Sequence, residues 1–391
     1  MNEEITRRAF SRFLAGGVGL ATSSLGTAAA AIQTISVPKL VFVHLRGGLD
    51  GLATVTPDDS ITYDLRPSLT IPASQRLDLG NGFAVHPSLR FFHRSYLQGE
   101  AGFVHACATP YRGRSHFGGQ DVLETFHAHD AVRRRGWFAE LARAVPGVRG
   151  LAIGPHRPLL FEGTATHQAA NWSSPTFRAS EPSVLGALTQ LYADDALLSE
   201  SLATGRSFSE RSRSYHRSQQ NWSERKRTIS SFETLGQLMA GSDGFQLGTL
   251  SLSGWDTHAE QKSPLARRLA NLDAGLEALR LSLGPDWQNT IVIAVSEFGR
   301  TVRENGSKGS DHGTAGVMLL LGGALRGGQM FGDWPGLKTR HLFDQRDLYP
   351  VNSVSEILGT VFSEHLGADP QILAHTNGAL RGAAQWRGMV A

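Results

Sequence analysis

Six short apolar runs constrain this chain more than any other feature: Leu40–Leu45, Gly102–Ala106, Leu151–Ile153, Leu247–Leu252, Thr290–Val295 and Val317–Leu321. Each is bounded by glycine or polar turns, and most are continuous rather than alternating. A strand with one wet face alternates; a strand covered on both faces does not need to. The runs therefore predict strands of a largely parallel sheet. Helical patterns lie between them. Phe117–Phe126 and Trp137–Val145 are short candidates. Leu265–Leu283 is longer, with Leu269, Leu272, Leu276 and Leu279 at helical spacing. Ser353–Phe362 reads as a last helix, with Ser353 as N-cap and Glu356 three residues on. Strands alternating with helices predict an α/β layered fold in a single large domain over about 38–391.

Composition narrows the function classes. Hydrophobic residues are 40% and charged residues 19% of 391, which excludes a disordered tail or a coiled coil. The net charge of +3, from 38 Lys+Arg against 35 Asp+Glu, is too small for a nucleic-acid coat, so no nucleic-acid partner is expected. Cys107 is the single cysteine, which excludes an intramolecular disulfide and a cysteine-based zinc cluster.

The N-terminus carries Arg7-Arg8, then a short apolar stretch interrupted by glycine, then Ala28–Ala31. This order matches a positive n-region, an h-region and a small-residue cleavage site, and the paired arginines resemble a twin-arginine signal. Residues 1–31 are read as that signal, with the twin-arginine translocase as an export partner and a periplasmic or extracytoplasmic destination. The apolar stretch is too short and too interrupted for a stable membrane anchor. A chain without disulfides suits folding in a reducing compartment before export.

A second unusual segment runs from Arg206 to Arg227, with seven Lys/Arg and two acids and no aliphatic residue. It reads as a basic insertion at about 196–235, either a solvated segment or a lid over an anionic ligand.

The chemistry-bearing residues gather just after the predicted strands. Arg46-Gly47-Gly48-Leu49-Asp50 follows the first run, and Arg112-Gly113-Arg114-Ser115-His116 follows the second. Gly254-Trp255-Asp256-Thr257-His258 follows the fourth. Ser296-Glu297-Phe298-Gly299-Arg300, then Ser310-Asp311-His312-Gly313, follow the fifth. Parallel sheets bind ligands beyond the carboxyl ends of their strands. Asp50, Asp256, His258, Asp311 and His312 are candidate metal ligands: carboxylates and imidazoles suit divalent ions, Zn among them. Ser115 stands at a helix start, where it is either a nucleophile favoured by the macrodipole or an ordinary N-cap. His116 is a base, a partner of a ligand, or a structural histidine. Arg114 offers a fixed charge for an anion. Glu297 and Arg300, three apart, either pair with each other or serve a metal or an anion.

These motifs together, in this order, resemble the bacterial exported family known as domain of unknown function 1501, which is in turn distantly similar to the alkaline phosphatase and sulfatase superfamily. The resemblance implies a three-layer α/β/α sandwich with a divalent-metal site at the strand ends. It implies Asp50 as the first-strand ligand, Ser115 as nucleophile, Asp256 with His258 as one metal pair, and Asp311 with His312 as the other. Three departures stand out. Asp256 and His258 are separated by one residue where alkaline phosphatases have three. Asp311 lies well past its strand, with Glu297 at the tip. Cys107-Ala108-Thr109-Pro110-Tyr111-Arg112 misses the sulfatase signature by one residue. The function expected is a metal-dependent hydrolase of phosphate or sulfate esters or related anionic substrates. The rivals are a non-catalytic exported binding or assembly protein and a metal-containing oxidoreductase.

Overall fold

The computed structural model describes residues 37–127, 135–165, 168–172, 182–196, 198–200, 202–203, 206, 222–377 and 384–391. The expected signal at 1–31 lies outside them, as does most of the basic run.

All six apolar runs are strands of one sheet. β1 is Lys39–Arg46, β2 Ala101–Ala108, β3 Gly150–Ile153, β4 Ala169–Trp172, β5 Leu247–Ser253, β6 Thr290–Val295 and β7 Gly316–Leu321. Two short strands, β8 (Met330–Phe331) and β9 (Asn352–Ser353), add to its edge. The order is β8-β2-β7-β6-β1-β5-β3-β4, with β9 also on β2. β1 runs parallel to both neighbours, Phe42 facing Thr249 on one side and Ile293 on the other. β7 runs antiparallel to both of its neighbours; the other pairings in this sheet are parallel.

The continuous apolar runs follow from burial on both faces. Val41, Val43 and Leu45 join one core; Leu40 and Phe42 join the other. β7 divides in the same way, Leu319 and Leu321 on one side and Met318 and Leu320 on the other. On the first face pack α1 (Arg90–Leu97), α4 (Glu224–Met239) and α5 (Lys262–Leu283). On the second pack α2 (His116–Thr125), α3 (Trp137–Ala144) and α6 (Val354–Glu364). The result is a three-layer α/β/α arrangement with a mostly parallel sheet. In α5 the leucines at 269, 272, 276 and 279 are all fully buried, and truncating one to alanine costs about 2–5 kcal/mol. Ser353 caps α6 by accepting the Glu356 N–H. No helix among the described residues is long and apolar enough to cross a membrane.

The segment read as a basic insertion at about 196–235 runs into a helix. From Glu224 onward the chain is α4, capped by Ser223, and it buries Thr228, Phe232 and Leu235. Its first turn carries the basic residues, and its apolar face begins one turn later.

Candidate metal centre

Four loops leave the carboxyl ends of β1, β2, β5 and β6 and meet on one edge of the sheet. Their close approach depends on glycine. Gly47 has φ +124°, and a Cβ there would lie 2.6 Å from the Asp256 nitrogen. At Gly313 a Cβ would lie 2.5 Å from the Arg300 carbonyl carbon. Arg300 fastens the loops together. Its buried guanidinium donates to the carbonyls of Gly47 (2.6 Å), Gly48 (2.6 Å), Trp255 (3.0 Å) and Ser310 (2.9 Å), and to Asp256 Oδ1 at 2.6 Å.

Around the Asp256 carboxylate three imidazoles converge. His258 Nε2 is 2.9 Å and His312 Nε2 3.1 Å from Oδ1, and His116 Nε2 is 3.3 Å from Oδ2. His258 Nε2 and His312 Nε2 lie 3.1 Å apart. The far nitrogen of each ring faces a pure acceptor. His116 Nδ1 is 2.8 Å from Glu297 Oε1, His258 Nδ1 3.0 Å from Asp311 Oδ1, and His312 Nδ1 2.9 Å from the Arg114 carbonyl. With the proton of each ring on Nδ1, each Nε2 turns a lone pair toward Asp256, the tautomer that a bound cation selects; without a cation the same nitrogens donate to the carboxylate. Lone pairs facing a carboxylate repel unless a cation lies among them. His116 Nε2 is buried and has no hydrogen-bond partner. The candidate ligand atoms of His116, Asp256 and His312 all lie within 4.8 Å of one another, with His258 beside them. A carboxylate and imidazoles, each ring oriented by an acceptor behind it, are a donor set that fits a divalent cation. The Phe298 ring lies 5.0 Å from His116 and 4.9 Å from His312, an apolar floor that limits their rotation.

The charges agree with the contacts. Burial pushes the Asp256 carboxyl up, but the Arg300 hydrogen bond and charge outweigh it and hold the group down at about 2. The hydrogen bond to Glu297 raises His116 above the ordinary imidazole range. Asn305 and His258 keep Asp311 below the ordinary carboxylate range.

The other sequence candidates take different places. Asp50 does not join the cluster. It is buried, forms a two-pronged pair with Arg66 at 2.9 and 2.8 Å, and accepts from Gln261 (2.6 Å), Ser310 (3.0 Å) and the Ala53 N–H (3.1 Å). With its oxygens so engaged it is a structural anchor, which departs from the ligand role that the resemblance implies. Arg300 is likewise buried and directs its guanidinium to four main-chain carbonyls and Asp256. Arg114, held at φ +53°, turns its side chain to Asp347 (2.7 Å) and presents only its carbonyl to His312. Glu297 stands behind His116, where it also accepts the Gly47 N–H at 2.9 Å. Asp311 stands behind His258. Ser115 is the exposed N-cap of α2, with extended φ and ψ, and its hydroxyl makes no capping hydrogen bond. Cys107 is buried, and burial pushes its thiol up to about 12, so it packs rather than reacts.

Sequence reading missed the polar residues behind the cluster: buried His44 in the middle of β1, and half-buried Gln120 and buried Glu124 on α2. Gln120 donates to Glu297 Oε1 at 3.2 Å, and Glu124 accepts from Arg46 at 2.5 Å. The available signal was a histidine inside an otherwise apolar strand, since a buried polar group is informative where an apolar one is not. It also missed Arg66 and Gln261, which hold Asp50.

Among solved structures, the chain is similar to the C-terminal periplasmic domain of EcEptC from Escherichia coli in complex with Zn, at 10% identity over 74% of each chain and a TM-score of 0.39. It is similar to an alkaline phosphatase from the Antarctic bacterium TAB5 at 11% identity and a TM-score of 0.36, covering 73% of this chain and 91% of that one. A phosphonate monoester hydrolase of Agrobacterium radiobacter is similar at 11% identity and a TM-score of 0.40, over 90% of this chain and 79% of its own. No curated protein matches the sequence. The family described as "Protein of unknown function (DUF1501)" matches residues 109–385. That span takes in the loops bearing His116, Asp256, Glu297 and His312 and most of the chain, which therefore belongs to the DUF1501 family.

Proposed function

We infer that this chain is an exported, metal-dependent hydrolase of phosphate or sulfate esters or related anionic substrates. One observation carries the reading: three imidazole Nε2 atoms, each ring held by an acceptor behind its Nδ1, converge on the Asp256 carboxylate. His116, Asp256 and His312 would hold the ion, with His258 at its edge. A divalent cation there supplies Lewis acidity toward a transferring oxyanion.

The protein's own residues do the rest. Arg300 fixes the Asp256 carboxylate. Ser115 is the nucleophile in this reading. Its hydroxyl is exposed and free of a capping bond, and the first turn of α2 offers it the positive end of the helix. A cleft of about 550 Å3 lies at the carboxyl ends of β1, β5 and β3, lined by Arg46, Gln120 and Glu124 from behind the cluster. Its walls include Phe117, next in sequence to His116, and Ser253, three residues before Asp256. That volume is of the size that holds a small molecule, and the cleft is where the body of the substrate would lie. The signal read at residues 1–31 makes the twin-arginine translocase the export partner and a periplasmic or extracytoplasmic location the destination.

The test combines metal analysis of the purified protein with turnover of a panel of aryl phosphates, phosphonates and sulfates. Bound divalent metal is expected in the parent and absent in Asp256→Ala. Turnover is expected in the parent and lost in Ser115→Ala. No bound metal, or equal turnover by Ser115→Ala, overturns the reading as stated; absence of both metal and turnover favours the non-catalytic binding protein.

A further inference from the structure

Beneath the cluster sits an ionisable group that the hydrolase reading leaves unused. His44 lies in the middle of β1, 1% exposed, between two buried carboxylates. Its Nδ1 is 2.9 Å from Glu124 Oε1 on α2. Its Nε2 is 3.7 Å from Glu297 Oε2, and that nitrogen is buried with no hydrogen-bond partner. The Phe42 ring, 6.4 Å away, is apolar. A neutral imidazole has one N–H. Whichever nitrogen bears it, the other turns a lone pair on a buried carboxylate. Only the doubly protonated ring presents a donor to both.

Charge balance leads to the same place. Glu124 and Glu297 are both enclosed, and the guanidinium beside them, Arg46, is paired with Glu124 at 2.5 Å. Glu297 Oε1 is well supplied, by the Gly47 N–H, Gln120 and His116. Glu297 Oε2 is not. Ser296 Oγ lies 3.1 Å away, but its single proton is shared with the Leu45 carbonyl. An enclosed carboxylate oxygen without a donor or a counter-charge is costly.

We propose that His44 is a fixed imidazolium that neutralises Glu297 and keeps its carboxylate aimed at His116, which makes His44 a positioning residue for the metal centre. The positioning role rests on the metal reading above; the charge of His44 does not. Burial lowers the basicity of His44, but the hydrogen bonds and charges of Glu124 and Glu297 outweigh burial and raise it.

Two measurements on the full chain test this. In metal-free, 15N-labelled protein near neutral pH, both ring nitrogens of His44 are expected to show the chemical shifts of protonated nitrogens. One unprotonated nitrogen overturns the proposal. In the second, Co2+ is titrated into the parent and into His44→Gln, with the visible spectrum as readout. The variant is expected to bind Co2+ about 10-fold more weakly, with an altered spectrum, as ligand-supporting changes do. Equal affinity and an unchanged spectrum overturn the positioning role. If His44→Gln does not fold, the nitrogen measurement on the parent still decides the charge. A parent that binds no Co2+ overturns the metal reading, whereas the His44 charge stands or falls on its own spectrum.

Discussion

Asp50 and Asp256 look alike in sequence and behave as opposites in the structure. Both follow strands of the sheet, β1 and β5, which lie side by side. Both sit in glycine-containing loops. Asp50 is 1% exposed and meets donors on every side: two guanidinium nitrogens of Arg66, Gln261, Ser310 and the Ala53 N–H. The Asp256 side chain is 40% exposed and meets one guanidinium nitrogen and three imidazole nitrogens. The difference is in the neighbours, not in the carboxylate. An aspartate whose oxygens are taken up by fixed donors is closed to a metal; one ringed by imidazole nitrogens can share a cation with them.

Removal of each carboxylate should break this comparison or establish it. Asp50→Ala strips a buried guanidinium of its partner and is expected to cost about 3–5 kcal/mol in urea unfolding. Asp256→Ala leaves Arg300 with four carbonyl acceptors. Its cost is expected to stay within about 1 kcal/mol, while metal content falls to background. Equal stability of the two variants would erase the distinction between a closed and an open carboxylate.

What the sequence disclosed follows the same line. The six strands were legible because burial on both faces leaves an unbroken apolar run. The α5 leucines were legible because one helix face contacts one core. Asp256, His258 and His312 could be picked out because chemistry-bearing residues crowd the strand ends. Asp50 met the same criteria but is turned inward, because the donors that close it, Arg66 and Gln261, are 16 and 211 residues away. Arg300 reads as a charge in the sequence and is a set of hydrogen bonds to main-chain carbonyls in the fold. His44 hid because a polar residue within an apolar strand acquires meaning only once Glu124 and Glu297 are brought against it. Local pattern reveals which face is buried. It does not reveal which distant donor arrives there.

The open region should be more sensitive to its supports than its exposure suggests. Glu297→Gln keeps the shape behind His116 but replaces the carboxylate. A loss of about 10–100-fold in divalent-metal affinity is expected, read by competitive chelation. An unchanged affinity would mean that the acceptors behind the imidazoles do not orient them.

Acid should divide the two regions. Near Asp50 and Arg66 lies His105, fully buried and pushed down to about 4, chiefly by burial. Its folded value lies below its unfolded one, so the unfolded chain takes up the proton first. Its contribution is then complete above about pH 6.5 and is lost as pH falls toward about 4. A His105→Gln variant should flatten the fall in stability across that window, provided the metal-free protein is compared. In the open region His116 is raised, so protons compete with metal from above the ordinary imidazole range downward. Metal release should therefore begin at higher pH than the loss of stability; coincident transitions would merge the two regions into one.

The smallest effect is expected at Ser115. An N-cap serine whose oxygen accepts a first-turn N–H is worth about 1 kcal/mol. Ser115 has the position and the extended backbone of such a cap but makes no capping hydrogen bond. Ser115→Ala should therefore change stability by less than about 0.5 kcal/mol in urea unfolding. A loss near 1 kcal/mol would return Ser115 to the closed class, as a structural residue like Asp50. With stability unchanged, any turnover lost in Ser115→Ala belongs to the hydroxyl itself. That hydroxyl, left free at the start of α2 beside His116, then falls with Asp256 on the open side of the molecule.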